Sequence, residues 1–158
     1  SNETNIPFDF MIFAGGTTTA PCLETLEIEK NTKGQLLVDE YLHAKGTNDI
    51  YITGDSAALS DKKGNPLPPT AQTAIQSGDI AAINVIRTLQ NKKLKRSNLT
   101  IKGIAIALGG KYASIDAGLV CLYGYPAYLI KKLIERIYKW PLWFSASKGF
   151  RKIDSCNI

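Results

Sequence analysis

The sequence lacks paired cysteines, a second histidine and long apolar runs. Its three cysteines are widely spaced along 158 residues and form no Cys-x-x-Cys pair, so neither a structural zinc site nor a dithiol redox motif is predicted. This cysteine usage fits a reducing, cytoplasmic compartment best. No apolar run approaches the roughly 20 residues that a membrane-spanning helix needs. The lone His43 lies in a polar loop and is interpreted as a solvated rather than a catalytic histidine.

The Gly-x-Gly-x-x-Gly motif is also absent. This motif holds the pyrophosphate in dinucleotide-binding domains, so its absence argues against a complete domain of that kind. The net charge of +5 permits an acidic partner, such as a phosphate ligand or an anionic lipid surface. The basic stretch Lys92–Arg96 has no interleaved aromatic residues, and nucleic acid is therefore not predicted as a partner.

The first half of the chain carries apolar runs that predict strands. Phe8–Ala14 is a continuous apolar run typical of a buried strand, and its place so early in the chain suggests a piece of a longer protein. Leu26–Glu29 and Gln35–Val38 alternate around a Lys-Gly turn, which predicts a hairpin. The β-branched and aromatic residues of Ile50–Thr53 predict another short buried strand.

The second half predicts two helices and a strand pair. Thr70 is a suitable N-cap for a helix from Ala71 to about Leu89. A basic, polar stretch over 90–98 is the best internal boundary, and Gly109-Gly110 is expected to join two strands after it. A last helix is predicted from Pro126 to about Trp140, with Pro141 ending it and an irregular tail following.

The strand at Ile50–Thr53 runs directly into Gly54-Asp55. Ligands of α/β sheets bind outside the carboxyl ends of the strands, where glycine allows close approach and aspartate accepts hydrogen bonds from hydroxyl groups. The helix that follows is rich in alanine and glycine, and its first turn at Ala71 presents N–H groups and a partial positive charge. A common turn beside a helix that merely packs on a sheet remains the alternative.

The last helix is amphipathic when its residues are placed at 100° intervals. One half is apolar and the other carries four basic residues and one acidic residue, which suits an anionic membrane interface. Packing on a domain core or a dimer partner is the alternative. The residues predicted to contact the membrane are Ile130, Leu133, Ile134, Ile137, Trp140 and Trp143.

The stretch "IYITGDSA", followed by "PPTAQTAIQSG", resembles the second flavin-binding motif of flavoproteins with two dinucleotide-binding domains. Among these flavoproteins, the pattern of Ala71-Gln72 followed by Gln76 and Gly78 is most similar to that of type II NADH dehydrogenases. These are single-subunit NADH:quinone oxidoreductases of the pyridine nucleotide-disulfide oxidoreductase superfamily. The resemblance covers nearly all of residues 8–143 and identifies the chain as the carboxyl-terminal part of such an enzyme.

The resemblance implies an α/β fold in three parts. Residues 1–20 would be the strand leaving a missing NADH domain. Residues 21–95 would be the second part of the FAD-binding domain, with hairpin strands and one long helix. Residues 96–158 would form a small α+β membrane-docking region. The fragment alone is expected to be inactive, because the amino-terminal FAD and NADH fingerprints are absent from it.

The resemblance also implies cofactors and residue roles. FAD would be the cofactor and NADH the electron donor, with a quinone as acceptor. Gly54 and Asp55 would hold the ribityl chain, and the helix end at Ala71 and Gln72 would face the flavin ring. The remaining implied positions are Gly15 and Gly16 near the nicotinamide or flavin edge, and Gln72, Gln76 and Lys111 on the quinone side.

The implied partners are a quinone, an anionic membrane surface contacted through residues 126–144, and a second copy of the chain in a homodimer. The implied location is peripheral, on the cytoplasmic side of the cell membrane, as a respiratory-chain component. A sulfide:quinone oxidoreductase would need paired cysteines at the flavin, and a disulfide reductase would need a His-Pro pair. Both remain as alternatives, together with a non-catalytic docking or dimerisation module.

Overall fold

The computed structural model describes residues 7–16 and 18–153, except for the side chains of residue 142 and of 145–153. The chain forms two compact units, one up to Thr100 and the other from Ile101 onward. The predicted mixture of strands and helices is confirmed. The division into three parts at 20/21 and 95/96 stays a prediction.

Short hairpins form most of the first unit. Strand β1 (Leu36–Leu37) pairs in parallel with strand β2 (Ala57–Ala58). The predicted hairpin forms only at its turn, where Lys30 bridges Leu36 in antiparallel fashion, and Leu26–Glu29 is not the predicted strand. The predicted strand at Ile50–Thr53 is reduced to a single bridge between Tyr51 and His43.

Three hairpin loops of the first unit repeat one hydrogen-bonded turn. Each begins with an Asn or Asp whose side-chain oxygen accepts hydrogen bonds of 2.8–3.0 Å from the backbone N–H groups two and four residues later. The residue three positions on has a positive φ, and it is Gly34, Leu42 or Gly64. Such turns satisfy backbone groups locally, so the unit holds its shape with very short strands.

Helix α1 (Ala71–Leu89) confirms the predicted bounds and N-cap. The side chain of Thr70 accepts a hydrogen bond from the backbone N–H of Thr73, as an N-cap should. One face of α1 packs against the hairpins through Ile80 and Ala81. The buried apolar cluster of the first unit comprises Leu36, Leu42, Ala44, Ile52, Ala57, Leu59, Ile80, Ala81 and Leu99.

The second unit is an antiparallel meander followed by a helix. Strands β3 (Ile104–Gly109), β4 (Tyr112–Asp116) and β5 (Cys121–Gly124) pair in that order. The turn at Gly109-Gly110 joins β3 to β4 as predicted, and β5 was not predicted. Helix α2 (Tyr125–Ile153) packs on β4 and β5.

Two further predictions about secondary structure are wrong. Phe8–Ala14 is irregular and exposed, with Phe10 81% accessible, because no strand among the described residues pairs with it. Pro141 does not end the last helix, which continues to Ile153. Proline already has a helical φ, so it removes one backbone hydrogen bond without preventing the next residues from remaining helical.

Candidate functional site

The Gly54-Asp55 motif lies in a 3-10 turn, Gly54–Ser56, that packs on α1. The backbone N–H of Gly54 donates to Ser77 Oγ at 3.0 Å. Gly54 has a φ of +66°, and a Cβ there would lie 3.7 Å from the Cβ of Ala74. The left-handed backbone therefore favours glycine, and the small residues of α1 allow the turn to approach the helix.

Asp55 presents an exposed carboxylate on a backbone that is fixed from the other side. Its carbonyl oxygen accepts a hydrogen bond of 3.1 Å from Gln35 Nε2, and Gln35 Oε1 accepts one of 2.9 Å from Asn31 Nδ2. Among the described residues, the Asp55 carboxylate has no hydrogen-bond or ion-pair partner. It is thus a positioned acceptor, able to bind ligand hydroxyl groups.

The first turn of α1 provides positive potential beside this turn. No acidic residue lies in its first turn, so nothing there offsets the partial positive charge of the helix end. Thr70 Oγ1 accepts from the N–H of Thr73 at 3.3 Å, and Thr73 Oγ1 accepts in return from the N–H of Thr70 at 3.1 Å. This reciprocal cap fixes the direction of the helix end at Ala71.

These residues fit the flavin that the sequence implies. A hydroxyl-bearing chain needs an acceptor such as the free Asp55 carboxylate, and an electron-rich ring edge needs a positive helix end. The hydrogen bond from Gly54 to Ser77 joins the turn to α1, whose first turn provides the positive helix end. The structure thus brings Gly54, Asp55 and α1 together in one unit.

Gln76 has its carboxamide engaged within the first unit. Its Nε2 donates to the carbonyl oxygens of Gln72 and Thr100 at 3.0 and 2.8 Å, and its Oε1 accepts from the N–H of Thr100 at 3.2 Å. Gln72 lies one turn earlier, in the first turn of α1. The placement of Gln72 and Gln76 on a quinone side stays a prediction.

The other predicted site residues are spread along the chain. Gly15 and Gly16 lie in an exposed irregular segment, where Gly16 has a φ of +87°. Lys111 is exposed at the turn between β3 and β4, in the second unit. Their predicted places near the flavin edge and on the quinone side stay predictions.

The interpretation of His43 as a solvated loop residue is wrong. The side chain is 5% accessible, its Nδ1 lies 3.1 Å from Asp39 Oδ2, and its ring packs against Tyr51 at 4.4 Å between centroids. In each of the three turns the side chain four positions on bonds back to the first residue, as His43 does to Asp39. The burial of His43 itself comes with its packing against Tyr51, since the equivalent Asn65 is exposed. His43 therefore helps to hold its hairpin.

Sequence reasoning missed two buried polar residues of α1, of which Ser77 holds the Gly54-Asp55 turn. Ser77 and Asn84 are buried, and Asn84 Nδ2 donates to the carbonyl oxygens of Tyr41 and Lys95 at 3.0 and 2.9 Å. A signal was present, since both residues share the buried face of α1 with Thr73, Ile80 and Ala81. Polar residues at such positions must find hydrogen-bond partners.

Helix α2 turns its apolar side away from the strands. Ala127 is buried against the sheet, and Lys131 and Glu135 are partly covered. The pKa of Glu135 is lowered, chiefly by the hydrogen bond from Lys131. The predicted membrane residues are all exposed, namely Ile130, Leu133, Ile134, Ile137, Trp140 and Trp143. Within the residues that the structure describes, no helix is apolar and long enough to span a bilayer.

A family model described as pyridine nucleotide-disulphide oxidoreductase matches residues 1–78, which include the Gly54-Asp55 turn and the first turns of α1. The match covers 78 of the 158 residues. The resemblance inferred from "IYITGDSA" and "PPTAQTAIQSG" is therefore confirmed. The match ends at Gly78, inside α1.

Curated relatives extend the similarity beyond that match. The chain is 32% identical over 141 residues to the demethylphylloquinone reductase NdbB of Synechocystis sp., covering 89% of the chain and 35% of that protein. It is 31% identical over 104 residues to the type II NADH:quinone oxidoreductase of Haemophilus influenzae, covering 65% of the chain and 23% of that protein. The corresponding Staphylococcus epidermidis enzyme is 33% identical over 113 residues, with 68% and 27% covered. The chain thus spans about a third or less of these relatives.

Proposed function

We propose that this chain is the carboxyl-terminal part of an FAD-dependent NADH:quinone oxidoreductase. The observation that carries the proposal is the Gly54-Asp55 turn, held against α1 by Ser77 with its carboxylate free. The names of the relatives support the reaction class, since they describe quinone reductases. FAD, when bound, supplies the two-electron relay between NADH and the quinone.

The roles of the residues follow from their placement. Asp55 accepts hydrogen bonds from the ribityl hydroxyls, and Gly54 allows that chain to approach the backbone. The first turn of α1, at Ala71 and Gln72, stabilises negative charge on the nearest ring edge. Gln35 and Ser77 position the turn, because they bind its backbone and not the ligand.

Titration of the chain with FAD, followed by flavin fluorescence, tests this proposal. Asp55→Ala should weaken binding about tenfold, as expected from losing a charged hydrogen-bond acceptor. Asp49→Ala removes another exposed aspartate outside the turn and is the matched control. Equal affinities for wild type, Asp55→Ala and Asp49→Ala would contradict the role of Asp55.

Helix α2 is proposed to dock on an anionic membrane surface, where the quinone is dissolved. The supporting observation is its exposed row of isoleucine, leucine and tryptophan side chains beside Lys132, Arg136 and Lys139. Apolar side chains bury into the interface, while basic side chains contact acidic head groups. This docking is peripheral and needs no spanning segment.

Co-sedimentation with vesicles tests the docking. The chain should bind phosphatidylcholine vesicles that contain phosphatidylserine better than pure phosphatidylcholine vesicles. Ile137→Asp should lower the partition coefficient about tenfold or more, given the transfer free energy of an isoleucine side chain. The control Leu119→Asp alters a fully exposed residue between β4 and β5 and should bind as wild type. Equal loss in both variants would contradict docking through α2.

A further inference from the structure

Residues 95–100, here called the strap, end the first unit. Residues 95–98 were expected to be part of a polar linker, and 99–100 the start of a strand. The structure fastens the strap to the unit at successive points. The N–H of Ser97 donates to the carbonyl of Glu40 at 2.8 Å, and Leu99 is buried beside Asp61 in a parallel bridge. The strap is therefore an ordered part of the first unit.

Two side-chain amides of α1 hold the two ends of the strap. Asn84 accepts from the N–H of Lys95 at 2.8 Å and donates to the carbonyl of Lys95 at 2.9 Å. Gln76 accepts from the N–H of Thr100 at 3.2 Å and donates to its carbonyl at 2.8 Å. Each carboxamide thus pairs with both backbone groups of one residue, as a neighbouring β-strand would.

The Gln76 carboxamide is also tied to its own helix. A carboxamide has two N–H donors, and Gln76 uses one on the carbonyl of Gln72 and the other on Thr100. A ligand could use these donors only after displacing Thr100 or the helix backbone. This arrangement suits a side chain that fixes the protein backbone better than one that faces a substrate.

We propose that Gln76 is a positioning residue that locks Thr100 onto α1, and so fixes the point where the first unit ends. Thr100 is the last residue of the first unit, so the lock fixes that end of the unit against α1. The proposal goes beyond quinone reduction, because it concerns the protein chain in the absence of any ligand.

Amide hydrogen exchange in the unliganded chain tests this role. Gln76→Ala should lower the protection factor of the Thr100 amide about tenfold, as expected when one hydrogen-bonded group loses its partner. The Lys95 amide, held by Asn84, should keep its protection, which shows that the change is local. Gln90→Ala, a glutamine change at the other end of α1, is the matched control and should leave Thr100 protected.

The variant Gln76→Glu distinguishes the loss of the hydrogen bonds that hold Thr100 from a general loss of the fold. An ionised glutamate accepts but cannot donate, so it faces the carbonyls of Thr100 and Gln72 unfavourably; a protonated one regains a donor. Because the two carbonyls disfavour the ionised form, protection of Thr100 in this variant should rise as the pH falls through a glutamate pKa above the ordinary value of about 4.3. Gln76→Ala, measured in parallel, should show no such recovery.

Two outcomes would overturn the proposal. Wild-type protection of Thr100 in Gln76→Ala would show that the carboxamide does not hold it. Identical pH profiles for Gln76→Glu and Gln76→Ala would show that the donor plays no part, even if both variants are destabilised. Neither outcome involves flavin, so failure here leaves the test of Asp55 unaffected.

Discussion

The two units differ in the size of their buried apolar clusters. The first unit packs Leu36, Leu42 and Leu99 into a closed cluster between its hairpins and α1. The second unit buries Ala113, Ile115 and Ala127, and leaves large side chains such as Leu108 and Trp140 exposed. Exposed apolar patches of this kind mark surfaces that bind something else.

This difference separates the proposed roles. The candidate flavin turn belongs to a unit whose own core and hydrogen bonds define its geometry, which a positioned Asp55 requires. The proposed docking helix belongs to a unit that keeps its large side chains outside its core. A binding site needs rigidity, whereas a docking surface needs accessible apolar area.

Matched leucine substitutions test the contrast most strongly. Leu36→Ala should lower the free energy of unfolding by about 3 kcal/mol, because a buried leucine leaves a cavity. Leu108→Ala, at a leucine exposed on β3, should change it by less than about 0.5 kcal/mol. Urea unfolding of each variant measures both values, and similar losses at the two sites would remove the contrast.

Leu42 allows a sharper test of the first unit. It is buried but has a φ of +73°, at the turn position that the other two turns fill with glycine. Leu42→Gly should be less destabilising than Leu42→Ala, by about 1 kcal/mol, because glycine has no Cβ to strain.

At Leu42 glycine is expected to be less destabilising than alanine. Leu36 is the control position, since it lies in a strand. There, glycine should be worse than alanine by about 0.5–1 kcal/mol, the usual order. Urea midpoints for the four variants give the comparison. The same order at both positions would show that Leu42 is not strained.

The smallest expected effect concerns acid stability at Asp61. The hydrogen bonds from Asn65 hold the pKa of the Asp61 carboxyl below its usual range. A lowered folded-state pKa stabilises the fold above the unfolded-state pKa, near 3.9, and this stabilisation disappears as the pH falls through the folded-state value.

Asp61→Asn should therefore be less stable than wild type at pH 6. The difference in stability between Asp61→Asn and wild type should narrow as the pH falls from about 5 to below 3. Urea midpoints across that range measure the gap. A constant gap would show that ionisation of Asp61 contributes nothing.

Local patterns were sufficient to predict some elements. Helix α1 was predicted because the N-cap at Thr70 and the helix signal after it agree locally. The β3–β4 turn was predicted from Gly109-Gly110 in the same way. The prediction of a strand at Phe8–Ala14 failed because strand formation depends on a partner that the local sequence does not specify. The prediction that the last helix ends at Pro141 failed because proline weakens a helix without always ending it.

The site was predicted only in part for a related reason. Gly54 and Asp55 adjoin a strand signal and a resemblance, so they could be selected from the sequence. Gln35, Ser77 and His43 depend on contacts between residues 4–23 positions apart, which periodicity does not report. Comparison of the turns at Asn31, Asp39 and Asp61 could have indicated the contact of His43 with Asp39, but not its burial.

A map of amide chemical shifts in the ¹⁵N-labelled chain during titration with FAD tests the flavin site most directly. A site formed by the turn and the helix end predicts shifts at Gly54, Asp55, Ala71 and Gln72, and none of comparable size there with AMP, which lacks the ribityl chain and ring. Shifts that avoid these four residues, or that AMP reproduces, would contradict flavin binding at this turn.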